Sequence, residues 1–138
     1  MNDRINLENQ SIEKVNAFSE RKELWNSLVN DAPVEQTAKK GFLSAIASAR
    51  YKPSTEPVYE KDARVDTCRA IVSAIVIFLE SAAPAVLKQD DNEKGRSSRG
   101  GSLTKSLTDS ESLLLALFQQ IRNDAWAWVE ETSEKLDN

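Results

Sequence analysis

The sequence predicts an all-α domain, and three observations carry that reading. Hydrophobic residues make up 40% of the 138 positions and recur three or four apart rather than two apart. Only four Gly and four Pro are present, too few for the many tight turns of a β-sandwich or barrel. Thr108-Asp109-Ser110-Glu111 spells a capping box, a strong helix-start signal. The expectation is a bundle of four main helices over about 11–30, 33–51, 62–83 and 108–132. A long, flexible, basic loop (88–107) lies between the third and fourth, and the whole chain, 1–138, reads as one domain.

The first segment places Ile12, Val15, Phe18, Trp25, Leu28 and Val29 on one helical stripe, with Ser11 as its N-cap and Glu13 facing the positive helix terminus. Asp31-Ala32-Pro33 ends it and opens the second, because Asp caps and Pro fits a first turn. The second segment uses Val34, Ala38, Phe42, Ile46 and Ala49, with Gly41 costing it up to about 1 kcal/mol against Ala. Lys52-Pro53-Ser54-Thr55-Glu56-Pro57 is a breaker, since two prolines four apart favour extended backbone.

The third stripe, Val65, Cys68, Ile71, Val72, Ile75, Val76, Leu79 and Ala82, is the widest in the chain. Ile77 and Phe78 extend it past one face, so this helix is expected at the centre with several neighbours; the alternative for 71–79 is a β-strand, given its Val and Ile content. The fourth segment starts at Thr108 and carries Leu114, Leu117, Phe118, Ile121, Ala125, Trp128 and Val129. The loop 88–107 exceeds the usual bundle connection and holds Gly95, Gly100 and Gly101 among Ser, Asp and Lys.

Composition narrows function. The formal charge is −4, with 18 basic and 22 acidic residues, which is not the profile of a DNA-coating protein. Charge is uneven: 88–105 carries a net +2 and 106–138 a net −5. No histidine is present, which removes the commonest general base and metal ligand. The single cysteine, Cys68, cannot form an internal disulfide and sits on the apolar stripe, so it reads as a buried small hydrophobe. The start of the chain lacks the apolar core of a secretory signal, and 70–79 is too short to span a bilayer; a cytoplasmic location and no membrane partner are expected.

Two apparent sites fail on chemistry. Asp90-Asp91-Asn92-Glu93-Lys94-Gly95 opens like a calcium loop, but Lys94 at the fifth position repels a cation and Gly101 stands where a bidentate Glu is required. The Gly95–Gly100 spacing resembles a phosphate loop, but Gly101 replaces the required Lys and no strand precedes it. No catalytic residue, cofactor or metal is expected, and the chain reads as a non-enzymatic binding protein.

Two features point to partners. The fourth segment carries more apolar surface than one stripe can bury, with Leu113 and Leu115 flanking Leu114 and Trp126 turned away from Ala125. Leu115, Arg122 and Trp126 are therefore the expected contacts for a protein partner or a second copy, as in an adaptor, inhibitor or immunity-type protein. The loop offers Lys94, Arg96, Arg99 and Lys105, four positive charges with no negative one between 94 and 105, suited to the phosphates of RNA or DNA. The order of helices and the position of this loop resemble the coat proteins of rod-shaped plant viruses, with Tyr51-Lys52-Pro53-Ser54 after the second helix as a local echo. That resemblance implies an alternative function, a nucleic-acid-associated assembly subunit holding RNA at the loop.

Overall fold

A computed structural model describes the backbone of residues 2–56, 59–94 and 106–137, and the side chains of 14–56, 59–91 and 106–131. Five helices follow in order: α1 (Asn2–Asp31), α2 (Gln36–Ser48), α3 (Glu60–Ala82), α4 (Pro84–Lys94) and α5 (Asp109–Asp137). Among the described residues there is no strand, so the β alternative for 71–79 is set aside.

The structure departs from the sequence expectation at α1, at α2 and in the expected loop, and α5 runs on to Asp137 rather than ending near 132. α1 starts at Asn2 rather than near Ser11. No Gly or Pro stands between them, and Ser is only mildly unfavourable inside a helix, so nothing stops the helix there. α2 begins at Gln36, after Pro33, and ends at Ser48 instead of 51. Ala49 turns to extended backbone, which frees Tyr51 to reach the core, where its ring lies 5.5 Å from Phe18 and 5.6 Å from Trp128. The third correction is the largest. The first part of the expected loop is α4, not flexible chain: Pro84 opens it in the position Pro tolerates, and Val86 and Asp90, one turn apart, both point inward.

α3 is central, packing against α2, α4 and α5, and its Cys68, Ile71, Ile75 and Leu79 are buried. α1 packs against α2 and, more sparingly, α5. Directions follow from polar contacts at the helix ends. Lys39 donates to the Asn30 carbonyl near one end of the α1–α2 pair and Lys22 to the Ala49 carbonyl near the other, so these helices are antiparallel. Trp25 meets Asp124 while Arg21 also reaches Glu131, which makes α1 and α5 antiparallel as well. The capping box forms as its spacing implies: Glu111 N–H donates to Thr108 Oγ1 at 3.1 Å, and Thr108 N–H donates to Glu111 Oε1 at 2.9 Å. The stripe from Leu114 to Val129 is buried throughout at the positions the sequence named.

Candidate functional site

The three expected interface residues of α5 separate in the structure. Leu115 is 8% exposed and belongs to the core, which corrects its reading as a surface contact. α5 has α1, α3 and α4 around it, so its apolar surplus finds cover that a bundle without α4 would not supply. Arg122 is partly buried and is not a free cation. Its Nη1 donates to Asp90 Oδ2 at 3.0 Å and its Nη2 to Asp90 Oδ1 at 3.3 Å, a forked pair, while its guanidinium carbon sits 4.9 Å from the Phe118 ring centroid. Trp126 is 38% exposed, one turn beyond Arg122 on a helix locked by buried Ala125, Trp128 and Val129.

Asp90 is the residue sequence reasoning missed. It is 3% exposed and also accepts from Gln119 Nε2 at 3.1 Å, so it ties α4 to α5. A carboxylate at an inward position breaks the apolar periodicity of α4, which is why the segment read as a polar loop. Pro84 and the i, i+4 spacing of Val86 and Asp90 were the available signals.

A second buried polar group surrounds Glu60 at the start of α3. Tyr51 OH donates to Glu60 Oε2, Arg64 Nε donates to the same oxygen at 3.2 Å, and Lys14 Nζ stands 3.5 Å from Oε1. Arg64 Nη1 also donates to the Trp128 carbonyl at 3.0 Å. Burial first, then the bond to Glu60, raises the Tyr51 hydroxyl well above its ordinary range, so it stays protonated. Burial pushes the Cys68 thiol up to about 12, with Arg69 pulling weakly the other way. A protonated, fully enclosed thiol is a packing group and not a nucleophile. Lys22 is lowered by burial and then by Arg50; it sits 5.3 Å from the Phe18 ring and donates to the Ala49 carbonyl.

An open groove of about 330 Å³ lies between α1 and α5, with Leu24 and Glu20 on one side, Glu131 on the other and Trp128 and Arg64 beneath. Arg21 bridges across it: Nη1 donates to Asp124 Oδ1 at 3.2 Å and Nη2 to Glu131 Oε2 at 2.8 Å. Asp124 also accepts from Trp25 Nε1 at 2.6 Å.

The loop residues Arg96, Arg99 and Lys105 lie outside the described residues, as does the side chain of Lys94, whose backbone closes α4. Among the described residues, no helix is long and apolar enough to cross a membrane, and no group of three or more His, Cys, Asp or Glu is placed to hold a metal ion. Comparison with protein-family models, with curated proteins and with solved structures gave no match.

Proposed function

We propose that this chain is a non-enzymatic binding protein that engages another protein, or a second copy of itself, through the Trp126 face of α5. One observation carries the reading: a tryptophan 38% exposed on a helix whose neighbouring positions are fixed in the core. A large aromatic held on a rigid element loses little freedom on binding, and Trp is among the residues most often found as interface anchors. Its nearest helical neighbour, Arg122, has its charge matched by Asp90, which lowers the cost of drying that surface. In this reading α1, α2, α3 and α5 form a four-helix scaffold, and α4 braces α5 through Asp90.

The test places a photo-crosslinking residue at position 126, and separately at Gln120, an exposed polar position of the same helix. One discrete adduct from 126 and none from 120 supports the reading, and the adduct mass separates a partner from a second copy. Equal labelling from both positions, or none from either, overturns it.

A further inference from the structure

We infer that α4 is a releasable lid over the Trp126 face of α5, so that this face is only partly open while α4 is seated. The inference rests on the reading of that face as the binding surface and concerns its regulation. Leu115, Gln119, Arg122 and Trp126 recur four, three and four residues apart, which puts them on one stripe of α5. Asp90 of α4 accepts from Gln119 Nε2 and from both terminal nitrogens of Arg122, and Leu115, one turn before Gln119, is buried. α4 therefore sits on the upstream part of the stripe, and the exposed Trp126 is the end it leaves open. What covers the rest of this surface is visible in the structure: it is the chain's own α4.

Three observations make α4 the element that lifts. Among the described side chains, each of the other four helices buries at least three apolar residues, whereas α4 buries Val86 alone. Elements with few buried apolar contacts open at the lowest cost. Its other buried residue, Asp90, holds on through charge. Drying a carboxylate and a guanidinium roughly cancels their attraction, so the pair fixes where α4 sits more than how firmly. The joint with α3 is a break in the helical ladder: Ala83 leaves helical backbone at φ −153° and ψ 65°, and Pro84 has no N–H to carry the ladder on. α4 can turn about this joint with α3 intact. An 11-residue helix is marginal alone in water, so α4 also unwinds once it lifts.

Release joins Leu115 to Trp126 over about three turns of α5 and frees the Arg122 guanidinium, whose carbon lies 4.9 Å from the Phe118 ring centroid. A partner helix with an aliphatic side chain and a carboxylate one turn apart, the pattern of Val86 and Asp90, satisfies the groups that α4 gives up. A partner that takes the lifted form draws the population away from the seated one.

The test is hydrogen exchange read peptide by peptide, which separates opening of α4 from unfolding of the whole chain. The contacts of Arg64 lie in the body that stays folded when α4 lifts. Arg64→Ala should therefore speed exchange in 68–75 by at least about tenfold and leave 86–93 within about twofold. Asp90→Asn removes the charge that Arg122 holds and should speed 86–93 by about tenfold or more. In a Leu115→Cys variant, iodoacetamide should reach the introduced thiol faster than Cys68, and Arg64→Ala should speed only Cys68. Exchange of 86–93 in step with 68–75 in every variant overturns the inference, as does exchange of 86–93 at the rate of an unstructured peptide in the native chain. An introduced thiol at 115 that reacts only in step with Cys68 overturns it too. So does an adduct from a crosslinker at position 126 whose yield Asp90→Asn does not raise. Separate opening of α4 with no adduct in either background leaves the lid standing and sinks the Trp126 reading instead.

Discussion

Arg64 of α3 sits over the indole of Trp128 in α5, its guanidinium carbon 4.6 Å from the ring centroid, while its Nη1 donates to the carbonyl oxygen of that same residue. One side chain thus joins the central helix to α5 by stacking and by hydrogen bonding, and its Nε holds Glu60 within its own helix. Removing one partner of a buried ion pair leaves the other charged and unmatched. Arg64→Ala is therefore expected to cost about 3 kcal/mol, the low end for such a loss because Lys14 and Tyr51 still reach Glu60. Arg64→Lys should recover little, since an ammonium offers neither the planar stack nor the fork. Urea denaturation measures both, and a loss for Arg64→Ala of less than about 0.5 kcal/mol would mean the contact is ornamental.

Gly41 is set by close approach. A Cβ at that position would fall 2.8 Å from Phe78 Cδ1, and closer still to Cε1, on a ring packed 5.5 Å from Phe42. Helix propensity favours Ala over Gly by about 1 kcal/mol, but overpacking costs about 1–3 kcal/mol. Gly41→Ala is expected to destabilise by roughly 1 kcal/mol in the native background and to be neutral or stabilising in a Phe78→Leu background, where the ring is gone. Denaturation of the four proteins of that cycle decides the sign.

Stability should fall at alkaline pH, and the sign follows from where protons bind. The folded thiol of Cys68 holds its proton up to about 12, against an ordinary value of 9.0. Above that ordinary value the unfolded chain binds fewer protons than the folded one, so stability drops as pH rises. Tyr51, raised by burial and by Glu60, acts in the same direction from its ordinary 10.0 upward. Lys22, lowered by burial, opposes them by gaining stability as pH approaches its ordinary 10.5. Urea midpoints should decline from about pH 9, and Cys68→Ala should remove the first part of that decline while leaving the part due to Tyr51. Because Lys22 opposes the decline, the deciding comparison is between variants: a native profile that coincides with that of Cys68→Ala up to about pH 11 contradicts the burial of the thiol.

How far the sequence reached depends on what each segment buries. Where the inward positions are apolar, periodicity named Cys68, Ile71, Ile75 and Leu79 of α3 and every buried apolar residue of α5 but Leu115, because burial of those side chains is what holds the helices together. It failed where a charged residue faces inward. Asp90, Glu60 and Arg64 are buried because each finds its opposite on a neighbouring turn or helix, and such pairings are tertiary facts invisible to a stripe count. Leu115 was misplaced for a different reason: it lies one turn before Gln119 and two before Arg122, on the side of α5 that Asp90 of α4 faces, and α4 was not expected as a helix. Trp126 was legible because its angle to Ala125 follows from helix geometry alone.

The alternative reading of the basic loop has its own outcome. Four phosphate contacts from Lys94, Arg96, Arg99 and Lys105 would give a log–log salt slope of roughly −3 to −4, and Arg96→Ala with Arg99→Ala would flatten it by about 1.5 to 2. The protein-partner account expects no such slope. An anisotropy titration against single-stranded RNA and duplex DNA at low salt checks this, and tight, salt-dependent binding would favour the assembly subunit.

The most direct measurement is calorimetric titration of the partner, or the second copy, captured at position 126, against the native chain and against Trp126→Ala. The account predicts that the substitution weakens binding by about 30-fold, roughly 2 kcal/mol, as loss of a central aromatic anchor does. Unfolding of the free protein should shift by less than about 1 kcal/mol, because Trp126 is not part of the core. Unchanged affinity with the same fold would contradict the claim that this face of α5 is where the protein works.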